Sequence, residues 1–178
     1  MERLYFIAIV PPAKIQDEIT QLKHLVAERF NSKHALRSPP HITLHMPFKW
    51  KDQKLEKLIE AMKLINLGLV PFDIELKRFN FFEPRVVYVD VIQNEMLGQL
   101  QEKVVSVCRK ELKLNNADYK NRGFHPHVTI GFRDLRKPKF YEAKDYFEEK
   151  EFTIQFKAES VKLLKHDGHK WSIFHYSS

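Results

Sequence analysis

The spacing of hydrophobic positions divides the chain into helical and extended segments. Spacings of three and four residues place apolar side chains on one face of a helix, whereas alternation is typical of a strand with one buried face. In the first helical segment, Ile15, Ile19, Leu22 and Val26 form such a stripe. The pattern predicts helices over about residues 13–30, 53–65, 94–112 and 138–147. It predicts strands over about residues 3–10, 41–47, 72–80, 85–91, 127–132, 151–157, 160–166 and 170–176.

The order of these segments favours an α+β fold. Helices mix with hairpin-like pairs of strands, and such an order is typical of largely antiparallel sheets. The chain has five glycines and no low-complexity stretch, so nothing in it resembles a flexible linker between independent domains. We therefore expect residues 1–178 to form one domain, with surface loops over 36–40 and 114–123.

The composition argues against a membrane protein. No apolar run approaches the roughly 18 residues that a membrane-spanning helix needs. The apolar start at residues 3–10 lacks the basic segment of a signal peptide and is cut short by Pro11 and Pro12, so it indicates a first strand. Cys108 is the one cysteine and falls on the apolar stripe of the third helix, so we expect a core thiol in a reducing, cytoplasmic protein.

The formal net charge of +7 favours a polyanionic ligand. A basic surface binds phosphate-bearing molecules by direct attraction and by releasing their counterions. The basic residues are spread along the chain, for example at 49–51 and 133–139, and do not form a polybasic tail. This distribution predicts a basic groove rather than a disordered arm.

One short pattern occurs twice, 86 positions apart, as PHITL at residues 40–44 and PHVTI at residues 126–130. With nine histidines and four threonines in the chain, chance predicts about 0.2 His-x-Thr pairs in total. Both copies follow a proline, and in both the threonine lies between β-favouring aliphatic residues. The repeat therefore predicts a functional pair of histidines. The alternative is that both histidines have only a structural role in their strands.

The spacing within each copy indicates the chemistry. Side chains alternate between the two faces of a strand, so His41 and Thr43 project together, as do His127 and Thr129. If the two strands face each other, one groove holds two imidazoles and two hydroxyls. Because imidazole titrates near neutral pH, one ring can act as general base while the other acts as general acid. The hydroxyls can donate hydrogen bonds to phosphodiester oxygens, and which histidine is the base stays open at this point.

These motifs resemble the signature of the two-histidine phosphoesterases, and within them the LigT-like 2′-5′ RNA ligase and cyclic phosphodiesterase group. The opening strand and helix of residues 3–30 are similar to that group as well. The resemblance implies a bilobal fold of two pseudo-symmetric lobes, with largely antiparallel sheets flanked by helices and one motif from each lobe in a central cleft. It implies that His41 and His127 are catalytic and that Thr43 and Thr129 bind phosphate.

The same resemblance implies metal-independent cleavage or transfer at 2′,3′-cyclic phosphates or 2′-5′ linkages, with no metal and no cofactor. The expected partner is an RNA end or a small nucleotide, and we expect a monomer. Two alternatives use the same cleft. One is a ligase that forms 2′-5′ joints with the same residues, and the other is a non-catalytic RNA-binding module.

Three further residues are candidates for contacting the substrate. Some LigT-like proteins carry an arginine just after the second motif, where this chain has Phe132 followed by Arg133. Arg133 shares the parity of His127 and Thr129, so it faces the groove if the strand continues unbroken. Phe132 and Phe48 flank the motifs and are candidates for stacking a nucleobase, with core packing as the alternative for each.

Other side chains near the motifs have two interpretations each. His45 shares the predicted face of His41 and is a candidate for a metal-binding pair, although no nearby carboxylate or cysteine completes a ligand set. His125 is interpreted as a supporting or surface residue. Arg37 and Arg122 either contact a phosphate of the ligand or are ordinary solvated charges.

Overall fold

The computed structural model describes residues 1–115 and 123–177, which form four α-helices and two four-stranded antiparallel sheets. The helices are α1 (Ala13–Phe30), α2 (Leu55–Asn66), α3 (Glu95–Leu112) and α4 (Lys137–Phe147). The strands are β1 (Glu2–Ile9), β2 (Ile42–Lys51), β3 (Phe72–Phe82), β4 (Val86–Val91), β5 (His127–Gly131), β6 (Thr153–Ala158), β7 (Lys162–His166) and β8 (Trp171–Ile173). Short 3₁₀ helices cover His34–Arg37 and Asp52–Lys54. Most of the predicted loop over 114–123, with Arg122, lies outside the described residues.

The predicted α+β class with antiparallel sheets is confirmed. The first sheet has the order β2-β1-β7-β8 and the second the order β5-β4-β3-β6, with antiparallel neighbours throughout. Each motif strand is therefore an edge strand, β2 in one sheet and β5 in the other. Each sheet forms the centre of one lobe, and each lobe carries one motif strand.

The helices are exchanged between the lobes. Helix α1 follows β1 in the chain but packs on β5 of the other sheet, and α3 follows β4 but packs on β2. Helix α2 packs on α3, whereas α4 packs on α1 and β4. Because each long helix crosses to the opposite sheet, the two motif strands are held against each other by the chain itself.

One apolar core extends through both sheets. Ile42 and Leu44 from the first motif and Val128 and Ile130 from the second are all fully buried in it, as strand alternation predicts. Cys108 is also fully buried in this core. Complete burial of an aliphatic side chain contributes about 1.5–3 kcal/mol, so the core half of each motif fixes the direction of the polar half.

Strand β2 is longer than predicted, because it continues past Pro47 to Lys51. Pro47 lacks an amide hydrogen, but β2 is an edge strand, where a proline is tolerated. The alternation resumes after it, with Phe48 and Trp50 buried and Lys49 exposed. A 3₁₀ helix at His34–Arg37 replaces the first part of the predicted loop over 36–40.

Candidate active site

The two motif strands approach each other at the junction of the sheets. Cα atoms of β2 and β5 come within 8 Å of each other. His41 directly precedes β2, and His127 is the first residue of β5, so each imidazole lies at the start of its strand. The two rings are close enough for the charge of His127 to contribute to lowering the pKa of His41. The structure thus brings together both histidines in one cleft.

Pairing with the neighbouring strand places the first motif on the cleft side of its sheet. Thr43 lies opposite Ala8 of β1, and the His41 ring packs on Phe6 with 4.7 Å between centroids. Phe6 and Ala8 belong to a small apolar cluster that is separate from the main core. His41 and Thr43 are therefore both half-buried on the face turned away from the main core.

The second motif has the same arrangement on the other sheet. His127 lies opposite Asp90 of β4, and Thr129 lies opposite Tyr88. Val128, between them, is fully buried in the core. His127 and Thr129 are half-buried and share one face, as the sequence predicts.

A carbonyl oxygen fixes the orientation of each imidazole. His41 Nδ1 lies 2.7 Å from the carbonyl oxygen of Pro39, and His127 Nδ1 lies 2.7 Å from that of His125. A carbonyl oxygen only accepts hydrogen bonds, so Nδ1 carries a proton in both rings. In the neutral form, Nε2 is then the free acceptor on each ring. The two sites therefore share one geometry, in which the residue two positions upstream orients the histidine.

Burial favours the neutral form of both histidines in the ligand-free protein. Burial lowers the pKa of His41 to about 4, and the positive charges of Lys23 and His127 act in the same direction. Burial also lowers the pKa of His127, together with the charge of His125. Asp90 opposes that shift, because its carboxylate favours a protonated His127. The two rings thus differ in their surroundings, since positive charges act on His41, whereas both the charge of His125 and the Asp90 carboxylate act on His127.

Sequence analysis missed the polar neighbours of His127 on β4. The hydroxyl of Tyr88 lies 3.2 Å from His125 Nε2, and Asp90 Oδ1 lies 3.5 Å from the same nitrogen. Burial raises the pKa of Tyr88 to about 12, which keeps it a hydrogen-bond donor at neutral pH. The alternation of β4 carried the signal, because Tyr88 and Asp90 are the polar residues of the sequence VVYVDV. His125 therefore lies in a supporting position beside His127.

Both threonine hydroxyls are available to a ligand. Within residues 1–115 and 123–177, neither Thr43 nor Thr129 forms a side-chain hydrogen bond. A half-buried hydroxyl without a protein partner gains from donating to a charged oxygen. The four residues His41, Thr43, His127 and Thr129 thus contribute two ring nitrogens and two hydroxyl donors to the candidate site.

Lys23 supports the loop that orients His41. Its side chain is 2% exposed, and Nζ donates hydrogen bonds to the carbonyl oxygens of Ala35 at 2.9 Å and Ser38 at 2.8 Å. Burial lowers the pKa of this amine to about 7. The next residue after Ser38 is Pro39, whose carbonyl oxygen holds the His41 ring. The sequence feature that could have identified Lys23 is its position on the buried stripe of α1, four residues after Ile19.

The prediction that His45 shares the face of His41 is wrong. Strand β2 bulges, because Thr43 pairs with Ala8 whereas His45 pairs with Ile7, so two steps on β2 match one step on β1. The extra residue reverses the parity and turns His45 into the core, where it is fully buried with its ring 5.3 Å from Phe48. His41 and His45 point to opposite sides of the strand and do not form a metal-binding pair.

Phe48 lies in the core and not in the cleft. It is 3% exposed and packs on Tyr5, His45 and Trp50. A second irregularity in the pairing of β1 and β2 separates His45 from Phe48. The structure therefore does not place Phe48 where it could stack a nucleobase.

Arg133 does not follow the parity of the second motif. The pairing of β5 shifts at Ile130, so Gly131 faces the core, where an added Cβ would lie 2.9 Å from Val26. The strand then ends, and Arg133 adopts a left-handed backbone conformation with φ of 58°. Its exposed guanidinium lies over the ring of Phe132, 5.6 Å from the centroid. The unbroken strand on which this prediction depended is absent.

Phe132 and Arg133 still lie near the junction of the lobes. The half-buried Phe132 ring meets His34 edge-on, with 5.0 Å between centroids. Burial lowers the pKa of His34, and the charges of Arg133 and Arg37 lower it further. Arg37 is exposed on the same side. His34 therefore lies close to both arginines as well as to Phe132.

Aromatic rings flank both histidines, and sequence analysis did not identify them. Phe82 is 39% exposed and its ring lies 5.1 Å from that of His127. On the other side, Trp171 packs 4.7 Å from Phe6, which in turn contacts His41. No periodicity indicated either residue, because Phe82 ends a strand and Trp171 lies 130 residues from His41 in the chain.

The described part of the chain has neither a membrane-spanning helix nor a metal-binding cluster. Among residues 1–115 and 123–177, no helix combines the length and apolar character that a membrane crossing requires. Over the same residues, no three His, Cys, Asp or Glu side chains are grouped so that they could hold a metal ion.

Solved structures share this fold. Escherichia coli LigT in complex with 3′-AMP superposes with a TM-score of 0.69 over 98% of this chain and 97% of that one, at 19% identity. TT0787 of Thermus thermophilus has a TM-score of 0.68 over 97% of this chain and 95% of that one, at 16% identity. At this level of identity the likeness concerns the fold.

Sequence comparisons show the family. A protein of Geobacillus sp. (strain WCH70), provisionally named a phosphoesterase, is 34% identical over 133 residues, which cover 74% of this chain and 69% of that protein. A protein of Oceanobacillus iheyensis with a similar name is 27% identical over 173 residues, covering 96% and 94%. The family model described as the 2′-5′ RNA ligase superfamily matches residues 11–170. The chain, with its paired His-x-Thr strands, belongs to the 2′-5′ RNA ligase superfamily, whose relatives include two-histidine phosphoesterases.

Proposed function

We propose that this protein is a metal-independent phosphodiesterase that cleaves a 2′,3′-cyclic phosphate or a 2′-5′ phosphodiester of RNA or a small nucleotide. One observation carries the proposal. Two imidazoles on facing edge strands are each held at Nδ1 by a carbonyl oxygen, so both present Nε2 to the cleft. A general acid and a general base in one cleft are sufficient for hydrolysis of a phosphodiester.

The relatives support the choice of a nucleotide substrate. The solved LigT structure of Escherichia coli contains 3′-AMP, and other LigT structures contain ATP and NADP⁺. These ligands all carry phosphate on a ribose. The net charge of +7 favours the same class of ligand in this protein.

In the proposed reaction, one imidazole activates water and the other protonates the leaving oxygen. Nε2 of the base removes a proton from water while the water oxygen bonds to phosphorus. The bond between phosphorus and the ribose oxygen breaks, and that oxygen receives the proton from Nε2 of the acid. Thr43 and Thr129 donate hydrogen bonds to the two non-bridging oxygens as their negative charge increases. The product is a phosphomonoester, and solvent restores the two protonation states.

The surroundings of the rings favour His41 as the base and His127 as the acid. Burial and the charges of Lys23 and His127 oppose protonation of His41. The Asp90 carboxylate, on the residue opposite His127, favours protonation of His127. An anionic phosphate in the cleft raises the pKa of both rings, and His127 takes up the proton first because the charge of Asp90 already favours its protonated form.

Turnover after metal removal tests the proposal. The protein is dialysed against a chelator and incubated with 2′,3′-cyclic mononucleotides and 2′-5′ dinucleotides, and the products are separated by chromatography. We expect cleavage of at least one class, with a loss of about 10²–10⁴-fold in kcat for His41→Ala and for His127→Ala. His24→Ala, on the exposed side of α1, is the control and keeps full activity.

Three results would contradict the proposal. One is activity that the chelator abolishes and a divalent ion restores, and another is wild-type turnover by both histidine variants. The third is the absence of cleavage on every substrate of the panel. Joining of a 2′,3′-cyclic phosphate end to a 5′-hydroxyl, without hydrolysis, would instead assign the ligase direction to the same residues.

A further inference from the structure

A second, strongly basic surface lies beyond the C-terminal end of β5. The turn between β3 and β4 and the segment between β5 and α4 enclose an open cavity of about 640 Å³. Its lining includes four cationic side chains, which we call the basic groove: Arg85, Arg133, Arg136 and Lys137. All four are exposed.

The lining of the basic groove carries a net positive charge, with four cationic side chains and one carboxylate. Within residues 1–115 and 123–177, none of its four cations forms an ion pair with a carboxylate. Asp134 is the one acidic residue of the lining. Its carboxylate accepts hydrogen bonds from the Ser32 hydroxyl at 2.7 Å and from the backbone amides of Lys33 and His34, so both of its oxygens are already hydrogen-bonded within the protein.

The start of α4 adds to the positive potential. The helix begins at Lys137 beside the groove, with no acidic residue in its first turn and no side chain capping its amides. Amides and the helix dipole at such a terminus favour a negative group nearby. The four side chains and the helix terminus therefore select for an anion, and their spread over a cavity of this size suits several charges rather than one.

The basic groove continues from the cleft. Strand β5 runs from His127 in the cleft to Gly131 at the groove, four residues or about 13 Å along a strand. Phe132 and Arg133 connect the two, since the Phe132 ring lies beside His34 at the lobe junction and beneath the guanidinium of Arg133. A phosphate between the two histidines cannot also occupy the groove, so a ligand that fills both sites carries further phosphates on a connected chain.

We propose that the basic groove binds the sugar-phosphate backbone of an RNA strand whose reactive phosphate lies between His41 and His127. The inference rests on the proposed function and adds that the substrate is an oligonucleotide rather than a mononucleotide. Counterion release from a phosphate backbone supplies the binding free energy at such a surface. Phe132 then lies where a base of the bound strand could stack on its ring.

Equilibrium binding tests the groove independently of turnover. A fluorescein-labelled single-stranded RNA of about ten nucleotides is titrated with protein, and fluorescence anisotropy is recorded at several salt concentrations. The test variant is Arg85→Gln/Arg136→Gln/Lys137→Gln. The control variant, Lys14→Gln/Arg109→Gln/Lys110→Gln, removes the same charge from exposed positions on α1 and α3. Circular dichroism checks that both variants are folded.

We expect the groove variant to bind RNA at least about tenfold more weakly, with a salt dependence reduced by about 2 in log–log slope for three lost phosphate contacts on a single strand. The control variant keeps its affinity within about twofold, because long-range attraction is screened. In turnover assays, the groove variant loses kcat/KM on an RNA with a 2′,3′-cyclic phosphate end and keeps that on a cyclic mononucleotide.

Equal RNA affinities of the two variants, or no RNA binding by the wild-type protein, would overturn the proposal that the basic groove binds RNA. So would an equal loss of kcat/KM on the mononucleotide and on the RNA. If the wild-type protein binds RNA through the groove but cleaves no phosphodiester, the proposed function fails while the groove stands. The two hypotheses are therefore separated by the same set of measurements.

Discussion

At the scale of single residues, a carbonyl oxygen two positions upstream orients each histidine and keeps the proton on Nδ1. Both His41 and His127 follow a proline, and in both cases the residue before that proline supplies the oxygen that binds Nδ1. The motif is thus longer than His-x-Thr, since the preceding dipeptide is part of the site. The sequence displayed the prolines, but a hydrogen bond to a main-chain oxygen has no signature in residue type.

Asp90 should set the alkaline limb of the pH profile. Its carboxylate favours the protonated form of His127, so Asp90→Asn lowers the pKa of His127. Because the acid has to be protonated, kcat/KM then begins to fall at a lower pH than in the wild-type protein, while the acidic limb is unchanged. Asp145→Asn, an exposed change on α4, is the matched control. An identical alkaline limb in Asp90→Asn would exclude this role.

Thr43→Val and Thr129→Val should each reduce kcat/KM without unfolding the protein. Each removes one hydrogen bond to a charged oxygen, which contributes about 1.5–3 kcal/mol, or about ten- to hundredfold in rate. Thr43→Ser and Thr129→Ser keep the hydroxyl and should recover most of the activity. Valine variants that match the wild-type protein would mean that the threonines are only strand residues.

At the scale of secondary-structure elements, alternation predicted the site as far as the strand pairing is regular. His127 and Thr129 pair with successive polar positions of β4, so their shared face followed from the sequence. The bulges next to His45 and Ile130 could not be predicted, because a bulge depends on the register with the partner strand. His45 and Arg133 were misplaced for this reason. Regular pairing depends on two strands together, whereas the hydrophobic pattern is read from one strand at a time.

Lys23→Met should loosen the loop that orients His41. The variant leaves the carbonyl oxygens of Ala35 and Ser38 without their donor, a cost of about 1–3 kcal/mol for a buried group. We expect a lower free energy of unfolding in urea and a lower kcat. Lys14→Met, on the exposed side of the same helix, is the control and should match the wild-type protein.

The pH dependence of this effect has a defined sign. Burial lowers the pKa of Lys23 from 10.5 to about 7, so between these values the unfolded chain binds a proton that the folded protein lacks. The contribution of Lys23 to stability therefore rises as the pH increases from 7 towards 10.5. The difference in unfolding free energy between the wild-type protein and Lys23→Met should grow over that window. A constant difference would mean that Lys23 is fully charged in the folded protein.

At the scale of the whole molecule, the exchange of helices joins the two halves of the site. The helix before each motif packs on the sheet that carries the other motif, so neither lobe can form its packed core alone. The duplicated motif predicted that two strands would meet, but nothing in the hydrophobic pattern indicated which helix would cover which sheet. Two histidines that are 86 positions apart in the chain thus lie in one cleft.

The pH profiles of kcat/KM for the wild-type protein, His41→Ala and His127→Ala test the central claim, that these residues are one acid–base pair. The wild-type profile should be bell-shaped, rising near the pKa of about 4 that burial gives His41. On the alkaline side, kcat/KM should fall at a pH below the ordinary histidine pKa, since burial also lowers the pKa of His127. His41→Ala should lose the rise at low pH, and His127→Ala the fall at high pH. Two variants that both keep the complete bell would contradict the account.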